Sequence, residues 1–411
     1  MKNHFFHTED LAVGYHGTCV AEEIRIWGDR GRILTLIGPN GAGKSTILKT
    51  LAGLLPTVQG TVWLDGKRLE QIPRKELAKK IAVVFTEKPS GEFLTCREVV
   101  EAGRYPYTGR FGLLSARDKE AVSEAMELVA VSDLADRPFD CLSDGQRQRV
   151  MLARVVCQEP QMLLLDEPTS HLDIKYKLEF LTILREMAGK KQISVVMSLH
   201  ELDLAERVSD MLACVKNGRV EHFGTPEEIF VPGYMEQLFG MLQGSFDVGS
   251  GTAEFSAPQG EPRVFVIAGG GTGKQTFWRL QRERIPFVVG ILSENDVDYP
   301  TAHATALHVV REAAGEQNHA GQPDWAGQQN YAGKQDRAGQ QNHAGQQDRA
   351  GQQNHAGDPD WAGETELLKE AKLWIDRCDH VICCGDRAMQ ANKYNKELLR
   401  YACRVGKMAE K

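Results

Sequence analysis

From Met1 to Gln243, short apolar runs alternate with stretches of helical periodicity. The runs include ILTLIG, IAVVF, MLLLD and ISVVMSL. Such runs are typical of strands in a sheet that is covered on both faces. We therefore expect an α/β domain over residues 1–243.

The pattern changes after residue 243. Residues 244–262, GSFDVGSGTAEFSAPQGEP, are rich in Gly, Ser and Pro and lack sustained periodicity, which predicts a linker. The following stretch, RVFVIAGGGTGKQTFWRLQRERIPFVVGILSENDVDY, predicts strand, glycine turn, helix and strand. A smaller Rossmann-like α/β domain is expected over residues 263–411.

A repeat interrupts this second domain. Between Ala314 and Trp361 there are eight six-residue units that begin with Ala-Gly, such as AGQQNH and AGQQDR. Units this polar cannot bury a core, so residues 314–363 are expected to form a disordered insertion in a surface loop. The alternative is a repeat-built element or a weak metal-binding tract with His319, His343 and His355.

Composition narrows the class of protein. The chain has 411 residues, 26% of them charged, and a net charge of −7, which gives no general electrostatic reason to bind nucleic acid. We find no signal sequence and no apolar stretch long enough for a membrane-spanning helix, which favours a cytoplasmic protein. The nine cysteines are scattered, as expected for reduced thiols.

The segment GPNGAGKST carries the most specific chemistry. Gly38, Gly43, Lys44 and Ser45 fit the phosphate-loop pattern G-x-x-x-x-G-K-[ST] between a predicted strand and helix. Backbone N–H groups and the helix N-terminus favour phosphate there, Lys44 is expected to reach the β and γ phosphates, and Ser45 to ligate Mg²⁺. The predicted ATP-binding residues of this loop are Gly38, Pro39, Asn40, Gly41, Ala42, Gly43, Lys44, Ser45 and Thr46.

Two acids follow the apolar run MLLL at residues 162–165. Burying Asp166 and Glu167 at a strand end is costly without a cationic partner, and a Mg-nucleotide at the phosphate loop supplies one. Asp166 is expected to hold Mg²⁺, directly or through water. Glu167 is expected to orient the attacking water as the catalytic base.

With these motifs, residues 1–241 resemble the ATP-binding subunit of an ABC transporter. LSDGQRQRV at Leu142–Val150 looks like the ABC signature, and SHLD at Ser170–Asp173 looks like the D-loop. SLHELDLA supplies His200 as the switch histidine, and Tyr15 stands where the family stacks an aromatic ring on adenine. The resemblance implies a P-loop NTPase domain with a helical subdomain.

The resemblance also implies partners and roles. Two copies of the chain would sandwich two ATP molecules, so that Ser143 and Gly145 act across the interface and Asp173 helps to couple the two sites. The γ phosphate contact would fall to His200. As a peripheral subunit on the cytoplasmic face of the membrane, the homodimer would drive integral-membrane permease subunits and serve, indirectly, an extracytoplasmic substrate-binding protein.

Two departures from the family pattern stand out. Asp144 replaces the commonest glycine of the signature and adds a negative charge near phosphate, which the following helix N-terminus offsets. Thr86 aligns with the usual glutamine that touches Mg²⁺, and Glu87 follows it. Either Thr86 or Glu87 could give an oxygen ligand, so we expect altered coupling to the permease rather than lost hydrolysis.

The segment EAGRYPYTGRFG, Glu101 to Gly112, resembles the helical subdomain of importers for iron-siderophore complexes, heme and cobalamin. An aromatic and proline cluster here suits a docking surface for a coupling helix of the permease, and the alternative is a stabilising turn in the helical subdomain. The alternatives are a soluble ABC ATPase that acts on a nucleic-acid or ribosomal partner, and an exporter ATPase.

In the second domain, AGGGTGKQT is not a phosphate loop, because Ala268 and Gln275 occupy the positions of the first glycine and of the Mg²⁺-binding Ser or Thr. The glycine turn Gly269–Gly273, with Glu294, Asp296 and Asp298 near the next strand end, is a weak nucleotide-binding pattern or simply a tight turn. Cys383 and Cys384 are interpreted as core residues of a strand rather than a metal site.

Overall fold

A computed structural model describes residues 4–85, 94–109, 111–170, 172–312 and 365–409. The chain divides into two compact units, Met1–Ala253 and Glu254–Lys411. Within the described ranges, no helix combines the length and hydropathy that crossing a membrane requires.

The first unit contains thirteen strands and nine helices in the residues described. The strands are β1 (Phe6–Tyr15), β2 (Thr18–Ile24), β3 (Trp27–Gly28), β4 (Ile33–Ile37), β5 (Thr57–Leu64), β6 (Lys67–Arg68), β7 (Ile81–Val84), β8 (Met162–Leu165), β9 (Ser194–Ser198), β10 (Met211–Lys216), β11 (Arg219–Gly224), β12 (Ser245–Asp247) and β13 (Thr252–Glu254), the last of which ends one residue into the second unit. The helices are α1 (Lys44–Leu51), α2 (Arg74–Lys80), α3 (Cys96–Glu101), α4 (Ala116–Leu128), α5 (Asp144–Cys157), α6 (Ile174–Lys191), α7 (Leu202–Val208), α8 (Pro226–Ile229) and α9 (Tyr234–Phe239).

The main sheet has the strand order β11-β10-β4-β9-β8-β7. All its neighbouring pairs are parallel except β10 and β11. The carboxyl ends of β4, β7, β8 and β9 therefore meet at one edge, which is where ligands bind in open α/β sheets. A smaller sheet, β2-β1-β5-β6 with β3 on β1, is antiparallel.

Strand β4 shows why the sheet is covered on both faces. Ile33 and Ile37 point into the core that contains α3–α7, while Leu34 and Leu36 point into the core shared with α1 and the antiparallel sheet. Alternating side chains of a strand reach opposite faces, so a strand that is covered on both faces is mostly apolar, as β4 is apart from Thr35. This arrangement confirms the predicted α/β class.

The segment predicted as a linker, residues 244–262, contains the short paired strands β12 and β13. Phe246 is buried and lies 6.2 Å, centroid to centroid, from Phe230. Its N–H donates to Glu236 Oε1 at 2.8 Å. Three-residue strands are too short for a period-two signal, so tertiary packing rather than local pattern orders this segment.

The second unit is a Rossmann-like α/β unit, as predicted. It contains β14 (Val264–Ile267), α10 (Lys274–Arg282), β15 (Phe287–Ser293), α11 (Tyr299–Thr305), β16 (His308–Glu312), α12 (Glu366–Arg377), β17 (His380–Cys383), α13 (Asp386–Ala391) and α14 (Asn395–Arg404). The parallel sheet has the order β16-β15-β14-β17. The predicted insertion at 314–363 lies outside the described residues.

Candidate functional site

The loop between β4 and α1 is shaped by glycine. Gly38 has φ 141°, and a Cβ there would lie 1.9 Å from the carbonyl oxygen of Val215. Gly43, the residue before α1, has φ 107° and packs against Ala21 of β2. Only glycine adopts such conformations without strain, so the two outer glycines of the motif are explained by the backbone.

Lys44 is folded over this loop. Its Nζ donates to the carbonyl oxygens of Gly38 at 2.7 Å and Pro39 at 2.9 Å, and its side chain is buried. Burial lowers the pKa of Lys44, while the charges of Glu167 and Asp166 act in the opposite direction. The ammonium group is thus held at the loop by main-chain carbonyls, which a phosphate oxygen can replace.

The rest of the loop offers backbone to a ligand. Asn40 and Gly41 are exposed, Pro39 and Ser45 are half-buried, and Ala42 and Thr46 are buried. Backbone N–H groups at a helix start, with a lysine beside them, form a cradle for phosphate. The geometry fits a nucleotide phosphate, and Ser45 is a half-buried residue of the first turn of α1, directly after Lys44.

Asp166 and Glu167 follow β8 and share one partner on β9. Asp166 is buried, and its Oδ1 accepts a hydrogen bond of 2.7 Å from Ser198 Oγ. The same hydroxyl oxygen accepts a hydrogen bond of 2.9 Å from the N–H of Glu167. Glu167 itself has φ 49°. Ser198 therefore fixes the carboxylate of one acid and the backbone of the other.

The Glu167 carboxylate is held from two sides. Its Oε1 lies 2.6 Å from His200 Nε2, and its Oε2 accepts a hydrogen bond of 3.1 Å from Ser170 Oγ. Glu167 and His200 are each about one-third exposed, so the pair is open to solvent. The structure thus brings together Asp166, Glu167 and His200 at the carboxyl edge of the main sheet, as the order of the strands requires.

The signature segment begins α5. Ser143 is its N-cap and forms a capping box with Gln146. A Cβ on Gly145 would lie 2.8 Å from the ring of Tyr176, so this glycine is required by close packing. Asp144, the departure from the family pattern, is paired with Arg147 at 3.3 Å, which offsets its charge.

The remaining predicted residues are placed as follows. Asp173 is exposed and is the N-cap residue of α6. Tyr15 ends β1, is 40% exposed and pairs with Thr18 of β2, the strand that packs against Gly43. Thr86 and Glu87 lie outside the described residues.

The sequence motifs did not indicate Ser198 and Tyr176 as site residues, and they indicated Ser170 only as the start of the D-loop-like segment. Ser198 stands two residues before His200, at the end of an apolar strand next to the one that ends at Asp166. A hydroxyl at the end of a buried strand beside an acidic strand end was the available signal. Tyr176 carries no comparable pattern, because only the packing of α6 reveals its contact with Gly145. Ser170 reaches Glu167 within a local turn, three residues along the chain.

In the second unit, the glycine turn is occupied by the unit's own acids. The Asp298 carboxylate is buried, and its Oδ2 accepts from the N–H groups of Gly269 at 3.0 Å and Gly273 at 2.9 Å. Asp296 accepts from the N–H of Gly270 at 3.0 Å. These carboxylates stand where phosphate oxygens would, and a Cβ on Gly269 would meet Ala391 at 2.6 Å. Of the two alternatives for this segment, the geometry favours the tight turn.

The cysteines of β17 are not grouped into a ligand set. Cys378 is buried, while Cys383 and Cys384 are half-buried. Cys384 lies 3.5 Å from Thr276 Oγ1, and burial raises its pKa to about 11. Thiols of this kind pack as small apolar side chains.

Comparison with known proteins shows the family to which the chain is similar. Residues 23–170 match the ABC transporter family. An uncharacterized ABC transporter ATP-binding protein of Methanocaldococcus jannaschii is 42% identical over 287 residues, which cover 70% of this chain and 99% of that protein. This match is longer than the first unit, so it extends into the second.

Two further relatives have transport names. The iron(3+)-hydroxamate import ATP-binding protein of Bacillus subtilis is 39% identical over 234 residues, 56% of this chain and 86% of that protein. The cobalamin import ATP-binding protein of Halobacterium salinarum is 33% identical over 299 residues, 71% of this chain and 75% of that protein. Among solved structures, CbiO1 of Clostridium perfringens, part of an ABC transporter complex, has a TM-score of 0.51 and 28% identity over 57% of this chain and 94% of that one.

The fold, the phosphate loop and the acid pair define a P-loop ATPase. The chain belongs to the family of ABC transporter ATP-binding proteins. It is an ATPase of that family, and the residues that match the family model, 23–170, lie in its first unit.

Proposed function

We propose that this chain is the ATP-hydrolysing subunit of an importer for a metal chelate, an iron-siderophore, heme or cobalamin-type compound, that crosses the membrane through a separate permease. The observation that carries the hydrolytic part is the Glu167 carboxylate, held by His200 at 2.6 Å at the sheet edge that carries the phosphate loop. The transport part is supported by the names of the iron-hydroxamate and cobalamin import relatives.

The first unit's own residues divide the work. The N–H groups of the phosphate loop and Lys44 bind the phosphates, Tyr15 stacks on adenine, and Glu167 orients water for attack on the γ phosphate. Ser45 and Asp166 would hold Mg²⁺, with Thr86 or Glu87 as a further oxygen ligand. When bound, Mg²⁺ neutralises charge that develops on the phosphate oxygens.

His200 and Ser170 keep the Glu167 carboxylate in one orientation. Two partners on opposite oxygens restrict rotation of the side chain, so a water molecule bound to the carboxylate has a defined direction. His200 is also open to solvent, which leaves it able to contact the γ phosphate. Catalysis of phosphoryl transfer consists mainly of such positioning and charge stabilisation.

The ATP site is completed by a second copy of the chain in this proposal. Ser143 and Gly145 start α5, whose N-terminus carries partial positive charge, and they would face the phosphates bound by the other copy. Asp173 is exposed at the start of α6, as a residue at a subunit interface must be before assembly. The homodimer would be a peripheral assembly on the cytoplasmic face of the membrane.

The permease would dock on the helical subdomain. A groove of about 410 Å³ lies between the end of α1, α2 and the segment around Tyr105 and Pro106. Tyr105, Phe111 and Leu113 are more than three-quarters exposed, which is unusual for apolar side chains this large. Arg104, 2% exposed, stacks on Tyr107 at 4.0 Å and pairs with Asp118 at 2.8 Å, so the exposed segment has a rigid base.

The two alternative functions, a soluble ABC ATPase and an exporter ATPase, differ from the importer in what they require of the chain. A soluble ABC ATPase that acts on nucleic acid or the ribosome needs no docking groove for a permease, and an exporter ATPase moves its cargo outward. Copurification of a permease together with inward transport would separate all three functions. The substrate-binding protein outside the membrane would select the chelate.

The test is uptake of labelled ferric siderophore, heme and cobalamin in cells that carry the wild type or Glu167→Gln. Glu186→Gln is the matched control, because Glu186 is an exposed glutamate of α6 that pairs only with Lys190 at 2.8 Å. Loss of one uptake in Glu167→Gln alone supports the proposal and identifies the chelate. Persistence of all three in cells without a redundant transporter contradicts it.

A further inference from the structure

The first turn of α6 touches two separate parts of the first unit. Tyr176 places its ring against Gly145 of the signature segment. The next residue, Lys177, donates from its Nζ to Glu201 Oε1. One helical turn, directly after Asp173, therefore contacts both the signature and the segment that carries His200.

Glu201 has a second partner. Its Oε2 accepts a hydrogen bond of 3.1 Å from Thr169 Oγ1, whose residue is only 1% exposed. Burial acts to raise the pKa of Glu201, but the hydrogen bonds from Lys177 and Thr169 and its own backbone hold it below its usual value. Glu201 is therefore ionised at neutral pH, and the Lys177 contact is a true ion pair.

The contacts of Glu201 with Lys177 and Thr169 lie close to Glu167, the proposed hydrolytic group, along the chain. Thr169 is two residues beyond Glu167, and Glu201 directly follows His200, which lies 2.6 Å from Glu167. Lys177 and Glu201 are only 21% and 27% exposed, so the pair is better shielded from water than an ordinary surface pair. A displacement of α6 at this turn must move Glu201, and with it His200.

We propose that Lys177 and Glu201 are positioning residues for ATP hydrolysis: their ion pair locks the His200 segment to the start of α6, so that His200 stays on Glu167. This rests on the proposed function, because it assigns hydrolysis to Glu167. In the proposed dimer, the signature of one subunit contacts the ATP that the other subunit binds, while His200 contacts the ATP of its own subunit. A movement of the signature would therefore reach His200 through the first turn of α6.

The experiment measures kcat and KM for ATP, together with the melting temperature, on the purified full chain. We expect Lys177→Gln and Glu201→Gln each to lower kcat about tenfold, the effect of losing ~1.4 kcal/mol of positioning. KM is expected to stay within about twofold, since neither residue contacts the phosphate loop in the described structure. The Lys177→Gln/Glu201→Gln double variant should be no slower than the slower single variant, because the pair acts as a unit.

Two further variants separate positioning from folding. Lys177→Arg keeps the charge and should retain most of the wild-type kcat. Lys190→Gln is the matched control, a lysine at the far end of the same helix that is 74% exposed and pairs with Glu186 at 2.8 Å, and its kcat should equal the wild-type value. Each variant's melting temperature shows whether a loss of kcat merely follows a loss of folding.

Wild-type kcat in Lys177→Gln or Glu201→Gln, or losses that multiply in the double variant, would overturn the inference. Losses of kcat in strict parallel with a fall of the melting temperature would also overturn it. A wild-type chain without ATP turnover would instead contradict the proposed function, so the two failures are distinguishable.

Discussion

The ring of Tyr176 fills the space that a side chain at Gly145 would need. A Cβ on Gly145 would lie 2.8 Å from Cγ and 2.9 Å from Cδ2 of that ring. The signature glycine thus has a packing role inside one subunit in addition to its proposed role at the phosphates of another. The two roles can be separated by experiment.

We predict that Gly145→Ala destabilises the first unit by about 1–3 kcal/mol, the usual effect of overpacking. Adding Tyr176→Ala should recover most of this loss, because it removes the ring. Urea denaturation of the wild type, both single variants and the double variant measures the coupling. If the double variant is stable but still hydrolyses ATP slowly, the loss of turnover is due to the proposed interface role of Gly145. If Gly145→Ala is as stable as the wild type, the packing argument is wrong.

Ser198 is predicted to be a positioning residue for both acids. Ser198→Ala removes the donor to Asp166 Oδ1 and the acceptor for the Glu167 N–H, so kcat should fall about tenfold or more. The lost bond to the Asp166 carboxylate contributes about 1.5–3 kcal/mol, and the lost neutral bond to the Glu167 N–H about 0.5–1.5 kcal/mol. Ser194→Ala is the matched control on the same strand. Ser194 is equally buried, but its Oγ has no hydrogen-bond partner among the residues that the structure describes, so its removal should leave kcat unchanged.

The kcat values of Ser198→Ala and Ser194→Ala are measured as steady-state ATP turnover at saturating ATP. Equal kcat values for Ser198→Ala and Ser194→Ala would show that the hydroxyl at the strand end does not organise the site. Melting temperatures of the two variants complete the comparison.

The Arg104–Asp118 pair is predicted to make the free energy of unfolding depend on pH in the acidic range. Hydrogen bonds from Ser115, opposed by burial, and the contact with Arg104 hold the pKa of Asp118 below its usual value. A carboxyl with a lowered pKa in the folded state stabilises above its unfolded pKa of about 3.9, and this contribution is lost as the pH falls through the folded value. Asp118→Asn should therefore cost about 3 kcal/mol at pH 7, and the difference from the wild type should shrink below about pH 4.

Urea denaturation at pH 7, 5 and 3 measures this difference. Asp133→Asn, an exposed residue after α4, serves as the control and should match the wild type throughout. A difference between the wild type and Asp118→Asn that stays constant down to pH 3 is incompatible with the ionised pair.

In the second unit, Asp298→Ala is predicted to lower the stability of this unit strongly. It leaves the N–H groups of Gly269 and Gly273 without their acceptor, at a cost of about 2 kcal/mol or more for buried groups. Glu294→Ala, which breaks only a surface contact of 3.3 Å with Arg311, should cost at most about 0.5 kcal/mol. Hydrogen exchange of the full chain in rising denaturant, followed in peptides of β14 and α10, reports on this unit, and equal losses in both variants would contradict the assignment.

Much of the ATP site could be predicted from the sequence because its motifs are contiguous. The phosphate loop, the acid pair and the signature each lie within about nine residues, and each follows a strand or begins a helix in the structure. Short-range motifs depend on local backbone geometry, which the order of residues specifies directly. The resemblance to ABC transporter ATP-binding proteins followed from the same segments and was confirmed by the relatives.

The residues that hold these motifs in place could not be predicted in this way. Ser198 meets Glu167 across 31 residues, and Lys177 meets Glu201 across 24. Nothing local marks either contact, because each depends on which strands are neighbours and where α6 packs. The linker prediction met the same limit at Phe246, whose burial orders a segment that has no pattern of its own.

By itself, the sequence determined the α/β class, the phosphate loop, the acid pair and the family, since these depend on periodicity and on short contiguous motifs. Only the tertiary structure decided that Ser198 serves both acids, that Tyr176 requires a glycine at position 145, and that Asp298 fills the glycine turn of the second unit. A residue type states which bonds a side chain can make. The packing of distant elements decides which of those bonds it makes.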